Sequence, residues 1–148
     1  MKARTKAWLE YAARDLEAAK KLADNEYLAN IVLFHSQQCV EKCLKAILEE
    51  NDQNVPKIHG VTRLYNLVME NTNIALPVTG DELDFIDDVY IDTRYPGNFG
   101  LLPSGFPGRE QAEFLLNIAV NCMRRPMRRL VESRRLALGF YKSAKDGE

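Results

Sequence analysis

The chain has 148 residues, a net charge of −1, 46% hydrophobic and 28% charged residues. This is the profile of one ordinary globular domain spanning 1–148, long enough to bury its core without metals or cross-links. No apolar run approaches the ~20 residues of a membrane helix, and the opening MKARTKAWLEYAARDL lacks an apolar stretch after its positive charges, so neither a span nor a secretory signal is expected.

The first predicted element is an amphipathic helix over about 4–23. Trp8, Ala12, Leu16, Ala19 and Ala23 recur at three- and four-residue steps, and charged residues fill the other face. Asp24-Asn25-Glu26 breaks it. A second helix runs over about 27–50. Leu28, Val32, Cys39, Cys43 and Ala46 lie along one side, with Ile31, Phe34, Leu44, Ile47 and Leu48 beside them. A helix apolar over so much of its circumference is predicted to be central to its fold or covered by a partner chain. NDQNVPKIHG then reads as a loop, punctuated by Pro56 and Gly60.

A shorter helix follows over about 60–71, with Val61, Leu64, Tyr65 and Val68 as its stripe. Thr79 and Glu82 have the spacing of a capping box, which starts a fourth, acidic helix ending near Arg94. PGNFGLLPSGFPG, residues 96–108, is neither helix nor strand, and loops of that kind are commonly functional. The fifth helix is expected from about 109 to 137, kinked at Pro126. No segment alternates with period two. The fold class is therefore all-α: an antiparallel bundle of about five helices, with an up-and-down four-helix core and a kinked C-terminal helix.

Charge is unevenly spread. Residues 124–148 hold eight Lys/Arg against three acids, whereas residues 1–123 hold twelve against eighteen. The pairs Arg124/Arg128 and Arg125/Arg129 are like-charge neighbours at i,i+4, which need anions nearby. The acidic fourth helix, of the same chain or a second copy, is the favoured source, and RNA phosphate the alternative.

Three cysteines, Cys39, Cys43 and Cys122, make an odd count and read as small apolar filler in a reducing compartment, hence a cytoplasmic location. His35 with Cys39 and Cys43 has helical ligand spacing but lacks a fourth ligand, so no metal is expected. Nor is any cofactor expected: the chain has no Gly-rich phosphate loop, HExxH or GxSxG motif.

The polar residues most open to a functional reading lie in FHSQQCVEKCLKAIL and after the fourth helix. Gln38, Glu41 and Lys45 form one strip of the second helix, with Lys42 beside it. On periodicity alone it is a solvated strip with a helical Glu-to-Lys pair. His59 precedes Gly60 at a helix start, where free backbone N–H groups would disfavour its charged form. Arg94 and Tyr95 stand before Pro96 at a helix end, where the guanidinium suits a phosphate or carboxylate.

In order along the chain, WLEYAARDLEAAKKL, YLANIVLFHSQQCVEKCLKAIL, KIHGVTRL, DTRYPG and REQAEFLLNIAV resemble the HEPN family (higher eukaryotes and prokaryotes nucleotide-binding domain). QQCVEKCLKA and RYP carry the resemblance most closely, and it spans about residues 4–133, leaving 134–148 as a basic extension. It implies a helical bundle that dimerises and, in many prokaryotic cases, pairs with a small separately encoded nucleotidyltransferase. Ribonuclease members carry Arg, four to six residues, then His. No arginine stands at that spacing before His35 or His59. The resemblance therefore implies first a non-catalytic module contacting a nucleotide through Gln38, Glu41, Lys45, His59, Arg94 and Tyr95. The alternatives are a metal-independent ribonuclease using His59 and Arg94, and a structural homodimer joined through the second helix.

Overall fold

Residues 1–92, 107–124 and 128 are described by the computed structural model of the chain. Among them the structure is wholly helical. Helix α1 is Ala3–Leu22, α2 is Ala29–Glu50, α3 is Val61–Asn71, α4 is Gly80–Asp92, and α5 covers residues 109–124. A 3₁₀ turn, Glu26–Leu28, leads into α2, its start held by the Asn25 side chain accepting from the Tyr27 N–H. Among the described residues the chain forms an all-α bundle of five α-helices, as its periodicity predicts. The loop 96–106, Arg94, Tyr95, the Pro126 kink and the basic extension lie outside the described residues.

Helix α2 is the rod around which the others pack. Fourteen of its 22 residues are buried. Leu33, Leu44, Ile47 and Leu48 are enclosed with Leu64 of α3, Ile86 of α4 and Leu115 of α5. Each such side chain stabilises the fold by about 1.5–3 kcal/mol relative to an exposed position. Helix α1 runs antiparallel to α2. Lys2 Nζ reaches the Glu49 carbonyl at 2.9 Å, Lys45 lies over Trp8, and Asp15 meets His35 and Lys42. The thiols of Cys39, Cys43 and Cys122 are buried in this core, and Cys43 Sγ contacts Met123 Sδ at 3.7 Å, joining α5 to α2.

The helix ends explain the turns between them. Past α2, Asp52 takes a left-handed φ of 58°. The Gln53 N–H then reaches back to the Leu48 carbonyl at 2.9 Å, and the Asp52 N–H to Glu49 at 3.3 Å. This is the paired closure that satisfies the last carbonyls of a helix. At α4 the capping box forms as its spacing predicts: Glu82 N–H donates to Thr79 Oγ1 at 3.2 Å, and Thr79 N–H to Glu82 Oε2 at 2.8 Å. Helix α3 has no cap of its own. Its first N–H groups, of Val61 and Thr62, donate instead to the two carboxylate oxygens of Asp87 on α4, at 2.7 and 3.2 Å. This cap across the fold fixes where His59 and Gly60 enter α3.

Candidate functional site

The polar strip of α2 is not solvated. Glu41 and Lys45 have side chains only 3% and 6% exposed, and their ion pair closes at 2.8 Å inside the bundle. Periodicity misleads here because the 51–60 loop, through His59, and Trp8 lie against a face that would otherwise be wet. An ionised carboxylate so enclosed is tolerable only when its lone pairs are filled, and those of Glu41 are. Oε1 accepts from Lys45 Nζ at 2.8 Å and His59 Nδ1 at 3.2 Å. Oε2 accepts from Gln37 Nε2 at 3.3 Å and Gln38 Nε2 at 3.2 Å. Four donors meet roughly four acceptor sites. Gln38 also donates to Gln37 Oε1 at 2.8 Å, and Gln37 to the His59 carbonyl at 3.4 Å. Backbone and ring of His59 are thus both tied to α2. Lys45 Nζ lies 5.5 Å from the Trp8 ring centre, so its charge faces an aromatic surface as well as a carboxylate.

His59 is the part of this network that reaches water. Its side chain is 57% exposed, whereas the carboxylate holding it is buried. The ring lies parallel to Tyr90 on α4, with centres 6.0 Å apart and planes 13° from parallel. A carboxylate only accepts, so Nδ1 is the donating nitrogen, and Nε2 makes no hydrogen bond among the described residues. The free helix N-terminus expected beside His59 is absent, because Asp87 already occupies the first N–H groups of α3. The immediate influence on the ring is a carboxylate, not a positive helix end.

The structure therefore brings Gln38, Glu41, Lys45 and His59 into one connected group. Glu41 and Lys45 have their polar atoms spent internally and hold the group in place, while His59 is its accessible face. Arg94 and Tyr95 lie outside the described residues. Sequence reasoning missed Gln37, Tyr90, Asp87 and Trp8. Tyr90 stands one helical turn before Arg94, a spacing that could have flagged it. Asp87 has no local signal, because its role depends on how α4 packs against α3.

His35 belongs elsewhere. Its Nδ1 is 2.9 Å from Asp15 Oδ1, its ring is set edge-on to Phe34, and Lys42 pairs with the other Asp15 oxygen. The cysteines one and two turns along do not share a site with it: no group of three metal-ligating side chains occurs among the described residues. Burial raises the Cys122 thiol first, followed by Cys39 and Glu82. A hydrogen bond that the Cys43 thiol donates to Cys39, then burial, raises Cys43. Thiols held protonated in this way are poor nucleophiles and poor ligands. No helix among the described residues is long and apolar enough to cross a membrane.

Comparison with known proteins agrees with this architecture. The family model of the HEPN domain matches residues 5–130. Among solved structures, the crystal structure of an archaeal HEPN homologue superposes with a TM-score of 0.56 at 20% identity, covering 88% of this chain and 99% of that one; this likeness is one of fold. No curated protein matches. With the helical bundle in place and the family model spanning most of its length, the chain belongs to the HEPN domain family.

Proposed function

We propose that this protein is a non-catalytic HEPN module that binds a nucleotide at the His59–Tyr90 corner, and that it works as a homodimer or beside a small nucleotidyltransferase. The observation that carries this reading is the pairing of a buried anion with an exposed ring: Glu41 is enclosed and His59, bonded to it, is open and stacked on Tyr90. A flat aromatic pair suits a nucleobase. His59 Nε2, which makes no hydrogen bond among the described residues, suits a donor on a base edge when the ring is neutral and a phosphate when the ring is protonated. Arg94 and Tyr95 follow Tyr90 closely in sequence and are proposed to complete the contact, the guanidinium taking phosphate. Gln38 lies at the rim; Glu41 and Lys45 hold His59 in place. Calorimetry of the pure protein against ATP and other nucleotides tests the reading. Binding that is lost in His59→Ala and weakened in Arg94→Ala supports it, and silence across the panel contradicts it.

One observation favours a second reading. A histidine whose Nδ1 is held by a carboxylate is arranged as general acid–base groups are, with the other nitrogen left for the proton in transit. The alternative is therefore a metal-independent ribonuclease in which His59 moves the proton, Glu41 orients it and Arg94 stabilises charge on the scissile phosphate. RNA cleavage by pure protein in chelator, abolished by both His59→Ala and Arg94→Ala, would replace the first reading with this one.

A further inference from the structure

Away from the His59 corner, α4 and α5 present an aromatic pair with an acidic rim. Phe85 and Phe114 meet edge to face with centres 5.2 Å apart, and Phe114 remains 45% exposed. Asp81 and Asp88 stand one turn to either side of Phe85 on α4, Asp84 lies beside it, and Glu110 stands one turn before Phe114 on α5. All four acids are exposed. None makes an ion pair or hydrogen bond among the described residues, whereas Glu82 and Asp87 of the same helix are used in caps. Helix α4 carries no basic residue at all. A half-exposed aromatic pair flanked by uncompensated carboxylates is complementary to a segment that is both basic and apolar.

This chain contains such a segment. Residues 129–142, RLVESRRLALGFYK, carry four Lys/Arg against one acid, with Leu130, Leu136, Leu138 and Phe140 among them, and lie outside the described residues. The described part of α5 ends close to α4: Cys122, near its end, lies in one core cluster with Leu83 and Ile86 of α4. From residue 124, ten extended residues span at most ~33–36 Å, several times the length of the α4 stripe from Asp81 to Asp88, ~10 Å at helical rise. We propose that the acid-rimmed Phe85–Phe114 surface is the docking site for this chain's own basic segment 129–142, from the same copy or from a second one. The inference is independent of the nucleotide reading, because it uses none of the residues around His59.

The test compares amide NMR spectra of the full chain and its Arg134→Glu/Arg135→Glu variant at low salt. Docking predicts shift differences concentrated at residues 81–88 and 110–114. They vanish at ~1 M salt, where screening falls to about 3 Å. They also recur in Asp84→Asn/Asp88→Asn, and in Phe114→Ala if that variant keeps the fold. Mixing labelled Arg variant with unlabelled wild-type chain assigns the source: wild-type shifts regained at α4 mean a segment from a second copy, and shifts that stay displaced mean the same chain. Spectra of 81–88 and 110–114 indistinguishable between wild type and the Arg variant would overturn the proposal. So would a basic segment whose signals respond to added oligoribonucleotide while α4 and α5 never sense its charge.

Discussion

Helix α2 takes part in two carboxylate–imidazole pairs, and they are built to opposite ends. In the first, Asp15 on α1 meets His35 at 2.9 Å and shares its other oxygen with Lys42; carboxylate and ring are 12% and 27% exposed. Both partners are half-buried and the imidazole is braced by Phe34. This pair ties α1 to α2. In the second, Glu41 is sealed with four donors around it, and its histidine is more than half exposed. Burying the anion while exposing the ring fixes the imidazole without covering it. That asymmetry, and not the presence of a histidine near an acid, distinguishes a candidate site from a structural tie.

Substitutions can break this contrast in order of severity. Glu41→Ala is the largest: it leaves Lys45 buried without its anion and takes one acceptor from each of the Gln37 and Gln38 amides. A loss of about 3–5 kcal/mol in denaturant unfolding is expected. Asp87→Ala comes next, removing the cap on α3 for about 1–2 kcal/mol; because it anchors the turn after His59, it should also displace the His59 ring from Tyr90, seen as changed ring-current shifts. Asp15→Ala, at the partly exposed pair, should cost about 1 kcal/mol or less and leave nucleotide binding unchanged. His59→Ala withdraws one of the four donors of buried Glu41, a loss of about 1 kcal/mol that entering water limits, yet it should abolish binding. If Asp15→Ala proved as damaging as Glu41→Ala, burial would not be what separates the two pairs.

The fold was legible because it rests on periodicity and local end signals. The stripes of Trp8 to Ala23 and of Val61 to Val68 mark helices whatever they pack against, and the Thr79–Glu82 box is a purely local device. The apolar girth of α2 identified the central rod. The site was legible only in part. Gln38, Glu41, Lys45 and His59 could be named as polar residues in unusual places, but their helical spacing reads equally as a solvated strip. What buries Glu41 is the 51–60 loop returning over α2, a contact between residues 18 apart whose geometry no local pattern encodes. Tyr90 and Asp87 reach the same corner from α4, through packing set by Ile86 and Leu83.

The central claim is that Glu41 holds His59 for an outside ligand while Asp15 holds His35 for the fold. Imidazole ¹H–¹⁵N NMR during an ATP titration tests it directly. The account predicts that both rings carry their proton on Nδ1, and that only the His59 Nε2 signal moves and saturates with nucleotide. A His59 signal that stays fixed, or shifts no larger than those of His35, would contradict it.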